Sequence, residues 1–292
     1  MNQQTRAYLF ALLAICCWST IGSAFKISLR YLDFLDLLLF SSFVAVCVLA
    51  VTLTVQKKLS LLKQLSRMDF IRSALMGLLN PFLYYVVLLK AYELLPAQEA
   101  GTLNYVWPLV LVLISIPMLH QKISAWSLVA VLISFSGIVI ISTHGHPFSM
   151  KFSDPFGVVL ALGSAIFWAF YWIFNLKDQR EAVTKLFLNF CFGFLYILIT
   201  VLSGKGISAP SWQGLAGSLY LGLFEMGIPF VLWLTALKLS STTAKVTNLI
   251  YLSPFISLVI IHFAVGETIL FSTVAGLFLI VSGIIMQQYL KS

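Results

Sequence analysis

Tyr105-Val106-Trp107-Pro108 and Tyr251-Leu252-Ser253-Pro254 share a Tyr-x-x-Pro frame and stand 146 residues apart in a chain of 292. The same offset carries Ser136-Gly137-Ile138 onto Ser282-Gly283-Ile284. Nearer the start of each half, Ala11-Leu12 with Trp18 recurs as Ala161-Leu162 with Trp168, now at an offset of 150, so a small gap separates the copies. The chain is a duplication, and both of its halves are strongly apolar.

A mean hydropathy of +0.99 excludes the water-soluble globular class. So do 60% hydrophobic and only 10% charged residues. The net charge of +8 does not gather on one polar domain, which argues against nucleic acid as a partner. The basic residues sit instead in short gaps between apolar runs, as the positive-inside rule expects. Cys16, Cys17, Cys47 and Cys191 all lie inside apolar runs without C-x-x-C spacing. They read as small core residues, not as a disulfide or metal framework.

Ten apolar stretches stand out, at roughly 7–25, 33–55, 70–92, 97–119, 124–143, 155–176, 183–203, 212–237, 243–264 and 270–290. Each holds about 20 residues, enough at ~1.5 Å per residue to cross ~30 Å of hydrocarbon. The expected fold is an all-α integral membrane protein of ten transmembrane helices, arranged as a five-helix repeat over 7–143 and a second over 154–290. Pro96, His144-Gly145-His146-Pro147 and Ser208-Ala209-Pro210 punctuate the gaps. Arg6 and Gly22-Ser23-Ala24 also fit a cleaved signal peptide, but Ala11, Leu12 and Trp18 have partners deep in the sixth span, so the first helix is expected to be retained. Copies with an odd number of spans must lie upside down relative to each other, the architecture of alternating-access transporters.

With the N-terminus inside, the inner gaps hold 13 of the 18 basic residues; Lys26, Arg30, Lys90, Lys151 and Lys205 face out. This predicts a multi-pass protein of the cell (inner) membrane with both termini cytoplasmic. Within one repeat pair, Gln121-Lys122 faces in and Glu267-Thr268 faces out.

Pro81, Pro108, Pro229 and Pro254 fall inside spans three, four, eight and nine, which are repeat equivalents in pairs. Each removes a backbone donor and frees the carbonyl four residues earlier: Gly77, Asn104, Glu225 and Ile250. Such breaks are tolerated where protein or a watery cavity surrounds them. A set of static kinks is the plainer explanation for any one of them, whereas four in repeat-related spans point to a central pathway.

Polar and aromatic residues fall beside these breaks. Asn104, Trp107 and Pro108 share an arc of span four, with Tyr105 adjoining. Asn80 and Tyr84 are one turn apart on span three, as are Pro81 and Tyr85. Ser164, Trp168, Tyr171 and Asn175 follow one face of span six, and Ser218, Gly222, Glu225, Pro229 and Trp233 one face of span eight. Trp126 and Trp212, at span ends, fit the membrane interface; Trp18, Trp107, Trp168 and Trp233 lie too deep for it. An aromatic cavity with a few amides suits an amphipathic solute.

Glu225 stands about thirteen residues into span eight, near mid-bilayer. A carboxylate there costs at least ~2.5–3.5 kcal/mol on insertion scales, so it is expected to face a pathway or a partner. It is the candidate proton carrier or amine partner; the bland alternative is a neutral acid bracing a neighbouring helix. Glu99 and Lys245, near span ends, can snorkel. His144 and His146 make a weak metal signal and read as loop polars, so no metal and no cofactor is expected.

These residues carry a resemblance. Pro254, Gly266-Glu267, Gly276 and Ser282-Gly283 look like the ending of a repeat in the drug/metabolite transporter superfamily, in its ten-helix, two-repeat type. The resemblance covers nearly the whole chain. The stretch Glu99-Ala100-Gly101-Thr102-Leu103-Asn104-Tyr105-Val106-Trp107-Pro108, then Gln121-Lys122, and Cys17-Trp18-Ser19-Thr20 look like its aromatic amino-acid exporter branch. The resemblance implies a cavity lined mainly by spans one, three, four, six, eight and nine. Two departures stand out: Gln121 replaces a glutamate usual in the broader family, and Glu225 is not part of the aromatic-exporter pattern.

The expected function is a secondary transporter exporting aromatic or large apolar amino acids, or related amphipathic metabolites. Substrate would meet Trp18, Tyr84, Asn104, Tyr105, Trp107, Trp168, Tyr171, Glu225, Trp233 and Tyr251, with Glu225 as the coupling residue. Partners are a small-molecule substrate, membrane lipid and, as the candidate coupling ion, protons. No P-loop occurs, so the energy comes from gradients. The alternatives are an importer, or an exporter of cationic drugs paired with Glu225. A membrane-embedded enzyme would need a clustered nucleophile, base or metal site that the scattered histidines do not supply. A purely structural subunit would not require Glu225 and four internal prolines around one axis.

Overall fold

The computed structural model describes residues 2–119, 125–146, 154–204, 206–240, 246 and 248–289, and the regular elements among them are all helical. Gln121, Lys122, Pro147, Lys151, Lys205, Lys245 and Lys291 lie outside the described residues. Among the described residues, six helices are long and apolar enough to cross a membrane: span one Gln3–Ser28, two Phe34–Val55, three Arg67–Leu94, six Pro155–Asn175, seven Ala182–Ser203 and eight Trp212–Leu239. The others are interrupted or shorter. Span four is Ala97–Asn104 followed by Trp107–Leu119, and span five is Ala125–Ser142. Span nine is a 3₁₀ turn, Asn248–Leu252, followed by Ser253–Val265, and span ten is Phe271–Tyr289.

The starts of the long helices are written into the sequence as side-chain caps. Asp33 accepts from Leu35 N at 2.9 Å, and Asp154 from Gly157 N at 2.7 Å, with Pro155 as the first helical residue. Ser66 and Asp69 form a reciprocal capping box at the start of span three. Each cap satisfies orphan backbone donors where lipid headgroups begin. Phe263 and Phe271, among the most exposed residues, face outward, as a lipid-facing surface requires. Trp126 and Trp212 are exposed at span ends, as expected of an interfacial belt. Cys16 and Cys47 also lie on the outer surface, which corrects their reading as core residues.

The expected breaks are present, but three of the four prolines do not kink a continuous helix. Pro108 is the second residue of Trp107–Leu119, Pro229 opens Ile228–Leu239, and Pro254 opens Ser253–Val265. In a first turn the missing donor has no intrahelical acceptor to lose. Wide π turns precede or contain the breaks in spans three and eight, at Leu78–Leu83 and Gly222–Gly227. Within the first, Asn80 is extended at φ −149° and ψ 122°.

Spans five and ten pack as an antiparallel pair with exchange symmetry. A Cβ added at Gly137 would stand 2.5 Å from Gly276 O, and one at Gly283 would stand 2.5 Å from Ala130 O. Adding 146 to 130 gives 276, and adding it to 137 gives 283, so the two contacts are one contact made twice. That self-complementarity is the mark of a two-fold axis. The same exchange recurs elsewhere. Gly77 of span three packs on the span-seven backbone at Asn189, and Gly222 of span eight packs on the span-two backbone at Ser41. Small residues let the backbones approach this closely, the usual basis of helix association in lipid.

Candidate functional site

Two of the freed carbonyls find aromatic donors in the opposite half. Trp18 Nε1 donates to Glu225 O at 3.4 Å, and Tyr105 Oη donates to Ile250 O at 2.6 Å. The broken helices are thereby stitched to each other across the pseudo-axis.

Between them lies a cavity of about 340 Å³, bordered by spans one, three, four, six, eight and nine. Trp168 is its hub. Its ring stacks on Tyr84 at 4.6 Å and meets Trp107 edge-on at 6.5 Å. Phe230, 6.0 Å from both Trp168 and Trp18, bridges to the Trp18–Trp233 pair at 5.5 Å. Such aromatic walls offer apolar area and π faces that attract cations. Asn104 ties the wall together, accepting from Tyr84 Oη at 3.4 Å and donating to Ser164 Oγ at 2.8 Å.

Glu225 borders the cavity and is buried at 8% exposure. Tyr85 Oη donates to its Oε1 at 2.8 Å. Among the described lining residues there is no lysine or arginine, so this acid sets the charge of the site. Three of the residues with freed carbonyls, Asn104, Glu225 and Ile250, border this space together with the aromatic cage, whereas Gly77 packs against span seven.

Eight of the ten expected substrate residues border that space: Trp18, Tyr84, Asn104, Tyr105, Trp107, Trp168, Glu225 and Trp233. Tyr171 and Tyr251 do not. Tyr171 is fully buried behind Trp168, stacked on it at 5.8 Å, because it lies one turn farther along span six. Tyr251 belongs to the 3₁₀ turn Asn248–Leu252 and is buried without bordering the cavity. Of the helix-break residues, Pro254 borders the cavity, while Pro81 and Pro229 are buried and do not line it. Sequence reasoning missed Phe25, Tyr92, Gln98, Thr102 and Trp172, all of which line the cavity. Tyr85 was visible only as a neighbour of Pro81.

At the end of the cavity near Gln98 a second set of contacts joins the halves. Gly266, left-handed at φ 82°, ends span nine and turns the chain toward span four. Glu267 then caps the start of span four, accepting from Ala97 N at 2.7 Å and Gln98 N at 3.1 Å. Gln98 Nε2 donates back to Thr268 O at 2.8 Å. Lys26 closes the end of span three by donating to Tyr92 O at 2.9 Å and Leu95 O at 2.6 Å. Glu99, expected to snorkel, is instead buried beside His144 Nε2 at 3.5 Å. Among the described residues, no three His, Cys, Asp or Glu side chains gather as a metal site.

At the opposite end, Arg180 organises the turn between spans six and seven. It donates two hydrogen bonds to the Asp178 carboxylate, at 3.0 and 2.6 Å, and others to Asp69 O and Ser73 Oγ of span three. Burial pushes the Asp178 carboxyl up, but the hydrogen bonds and charge of Arg180 outweigh it and hold the group below its ordinary range. Glu181 is likewise raised by burial and brought below its ordinary range by Lys58, 2.7 Å away, and by Thr184.

Comparisons with known proteins agree with this geometry. The sequence pattern of the EamA-like transporter family matches residues 5–143 and again residues 155–287. An uncharacterized transporter, YvbV, of Bacillus subtilis is 26% identical over 212 residues, covering 71% of this chain and 68% of its own. Protein PecM of Dickeya dadantii is 24% identical over 96% of this chain and 91% of its own. The aromatic amino acid exporter YddG of Ancylobacter novellus is 25% identical over 167 residues, and this chain spans only 57% of its length. A crystal structure superposes with a TM-score of 0.69 over 98% of this chain and 97% of the other, at 21% identity, a likeness of fold.

Proposed function

Because this chain belongs to the EamA-like transporter family, and is a membrane transporter and not an enzyme, we propose that its solutes are amphipathic amines. Amino acids with aromatic or large apolar side chains are the first among them, exported by alternating access. The observation that carries the reading is the aromatic cage closed on one side by Glu225, with no basic side chain among the described lining residues. The apolar body of the solute lies against Trp168, Trp107 and Tyr84, and its ammonium group faces the Glu225 carboxylate. Resemblance to the aromatic exporter branch supports the amino-acid assignment. The two halves rock about the central site, and a proton taken up by Glu225 in place of the amine couples transport to the proton gradient.

A second reading, an exporter of cationic amphiphiles, is favoured by the same charge content, because an amino-acid carboxylate meets no cationic partner among the described lining residues. Flux into proteoliposomes separates the two. Tryptophan and phenylalanine transport supports the first, and transport of tryptamine with rejection of tryptophan supports the second. Equal transport of indolepropionate, which has no amine, would sink both.

Both termini are assigned to the cytoplasmic side of the inner membrane, from the 13 basic residues counted on that side against 5 on the other. Reporter fusions at the two ends test this; reporters on opposite faces would reject it.

A further inference from the structure

Behind the aromatic cage, a line of polar side chains leads away from Glu225 and is not used for the solute. Tyr85, whose hydroxyl donates to Glu225, is followed by Tyr171, within electrostatic reach of it. Tyr171 Oη stands near the side-chain amides of Asn80, Asn189 and Asn175. Asn80 and Asn189 are fully buried, yet neither their amides nor the Tyr171 hydroxyl closes a direct hydrogen bond with the protein. Beyond them, Lys185 Nζ donates to Asn175 O at 3.0 Å and Asp178 O at 2.9 Å, at the turn held by Arg180.

Two whole amides and a phenol left unpaired in the interior would cost several kcal/mol, so groups that stand near each other without closing well-formed direct bonds are bridged by water. Span three is irregular here: Asn80 is extended inside the π turn, close to where span seven crosses it. We propose that this line is a hydrated proton path joining Glu225 to the membrane face that carries Asp178 and Arg180.

The path rests on the reading of Glu225 as the proton-exchanging group. One proton leaves the carboxylic acid, and each hydroxyl or water along the line accepts one proton as it gives another. Only the ends change: Glu225 becomes a carboxylate, and a water at the Asp178 turn gains the proton. The asparagine amides orient the waters and keep their own protons. Besides Tyr85, the titratable groups facing Glu225 are Cys17 of span one and Tyr84 and Tyr92 of span three. Span two brings only Asp36, in its first turn, and the outward Cys47; span eight brings Tyr220, whose hydroxyl is held by Thr20 of span one, and Lys238 in its last turn. None of these offers a second continuous line to the face bearing Asp178.

The test uses Tyr171→Phe and Asn189→Leu in the full chain, reconstituted with a pH-sensitive dye inside the vesicles. Neither side chain borders the cavity, so solute counterflow at equal pH should persist. Solute-coupled proton flux should fall roughly tenfold or more, as when a positioned proton-transfer group is removed. Counterflow and proton flux falling together would overturn the path in favour of a packing role. Unchanged proton flux in both variants, with loss in Glu225→Gln, would overturn the path while leaving the coupling role of Glu225 intact. Wild-type transport without proton movement would overturn both. As a check independent of transport, Asn189→Cys in a background lacking the four native cysteines should react with a small hydrophilic thiol reagent; a protected thiol in a protein that still transports rejects the hydration.

Discussion

Tyr85 Oη lies 2.8 Å from Glu225 Oε1, a hydrogen bond that joins the wide turn of span eight to the segment just after the wide turn of span three. The carboxylate in the cavity wall is therefore held by the opposite repeat. Any movement of one half against the other must carry this bond along or break it.

Tyr85→Phe and Glu225→Gln should interact. A hydrogen bond to a charged group contributes roughly 1.5–3 kcal/mol, so the double variant should lose less amine affinity than the sum of the singles by about that amount. Isothermal binding in detergent measures the cycle. Strict additivity would show that the tyrosine does not act through the carboxylate.

Glu225→Gln alone preserves shape and hydrogen-bonding capacity but removes titration. It should bind solute more weakly yet still exchange it at equal pH when solute is saturating, while transport driven by a pH gradient disappears. An unchanged pH profile in vesicles would reduce Glu225 to a brace between helices.

Trp107→Ala and Trp168→Ala should each weaken solute binding by roughly 1–3 kcal/mol, the scale of one large buried side chain. Trp168 should be the more damaging, because it also contacts Tyr84, Tyr171 and Phe230. Normal transport by both variants at wild-type expression would return these rings to a packing role.

Gly137→Val should destabilise the protein by about 1–3 kcal/mol or more, since its Cβ would press on the backbone of span ten at Gly276 and no flexible side chain can yield there. Thermal unfolding in detergent reads the loss. Gly163→Ala, where a Cβ meets nothing within 4 Å, is the control expected to leave the melting temperature unchanged.

Asp178 and Glu181 have folded-state values below their ordinary 3.8 and 4.5. Their contribution to stability is fully present above those ordinary values and is lost as pH falls through the lower, folded ones. Melting temperature should therefore drop on acidification below about pH 4.5. Arg180→Gln should flatten the part of that drop due to Asp178. A slope identical to wild type would remove this pair from the acid response.

Much of this was legible before any coordinates. The Tyr-x-x-Pro frame and the Ser-Gly-Ile frame located the repeats, and the deep tryptophans and Glu225 located the cavity, because charge and proline inside an apolar run are costly unless they serve a site. Helical periodicity set Tyr171 on the face of Trp168 but not its depth, which the ring of Trp168 covers, and periodicity does not extend across a break. Asn104 and Trp107 looked like one arc of one helix, but Tyr105 and Val106 separate two helices there. Tyr251, likewise, lies in a 3₁₀ turn where the α-helical period does not hold, and it does not border the cavity. Phe25, Tyr92 and Trp172 were hidden for the opposite reason: aromatic residues in an aromatic-rich chain carry no signal until a neighbouring helix shows which face is hollow.

The seam of spans five and ten has a consequence for how the molecule could be built. A surface on which residue 130 of one copy meets residue 137 of the other, and the reverse, needs no peptide link to find its partner. Severed in the loop between the repeats, the two polypeptides should reassemble in the membrane when produced together, and co-purify on a tag carried by either.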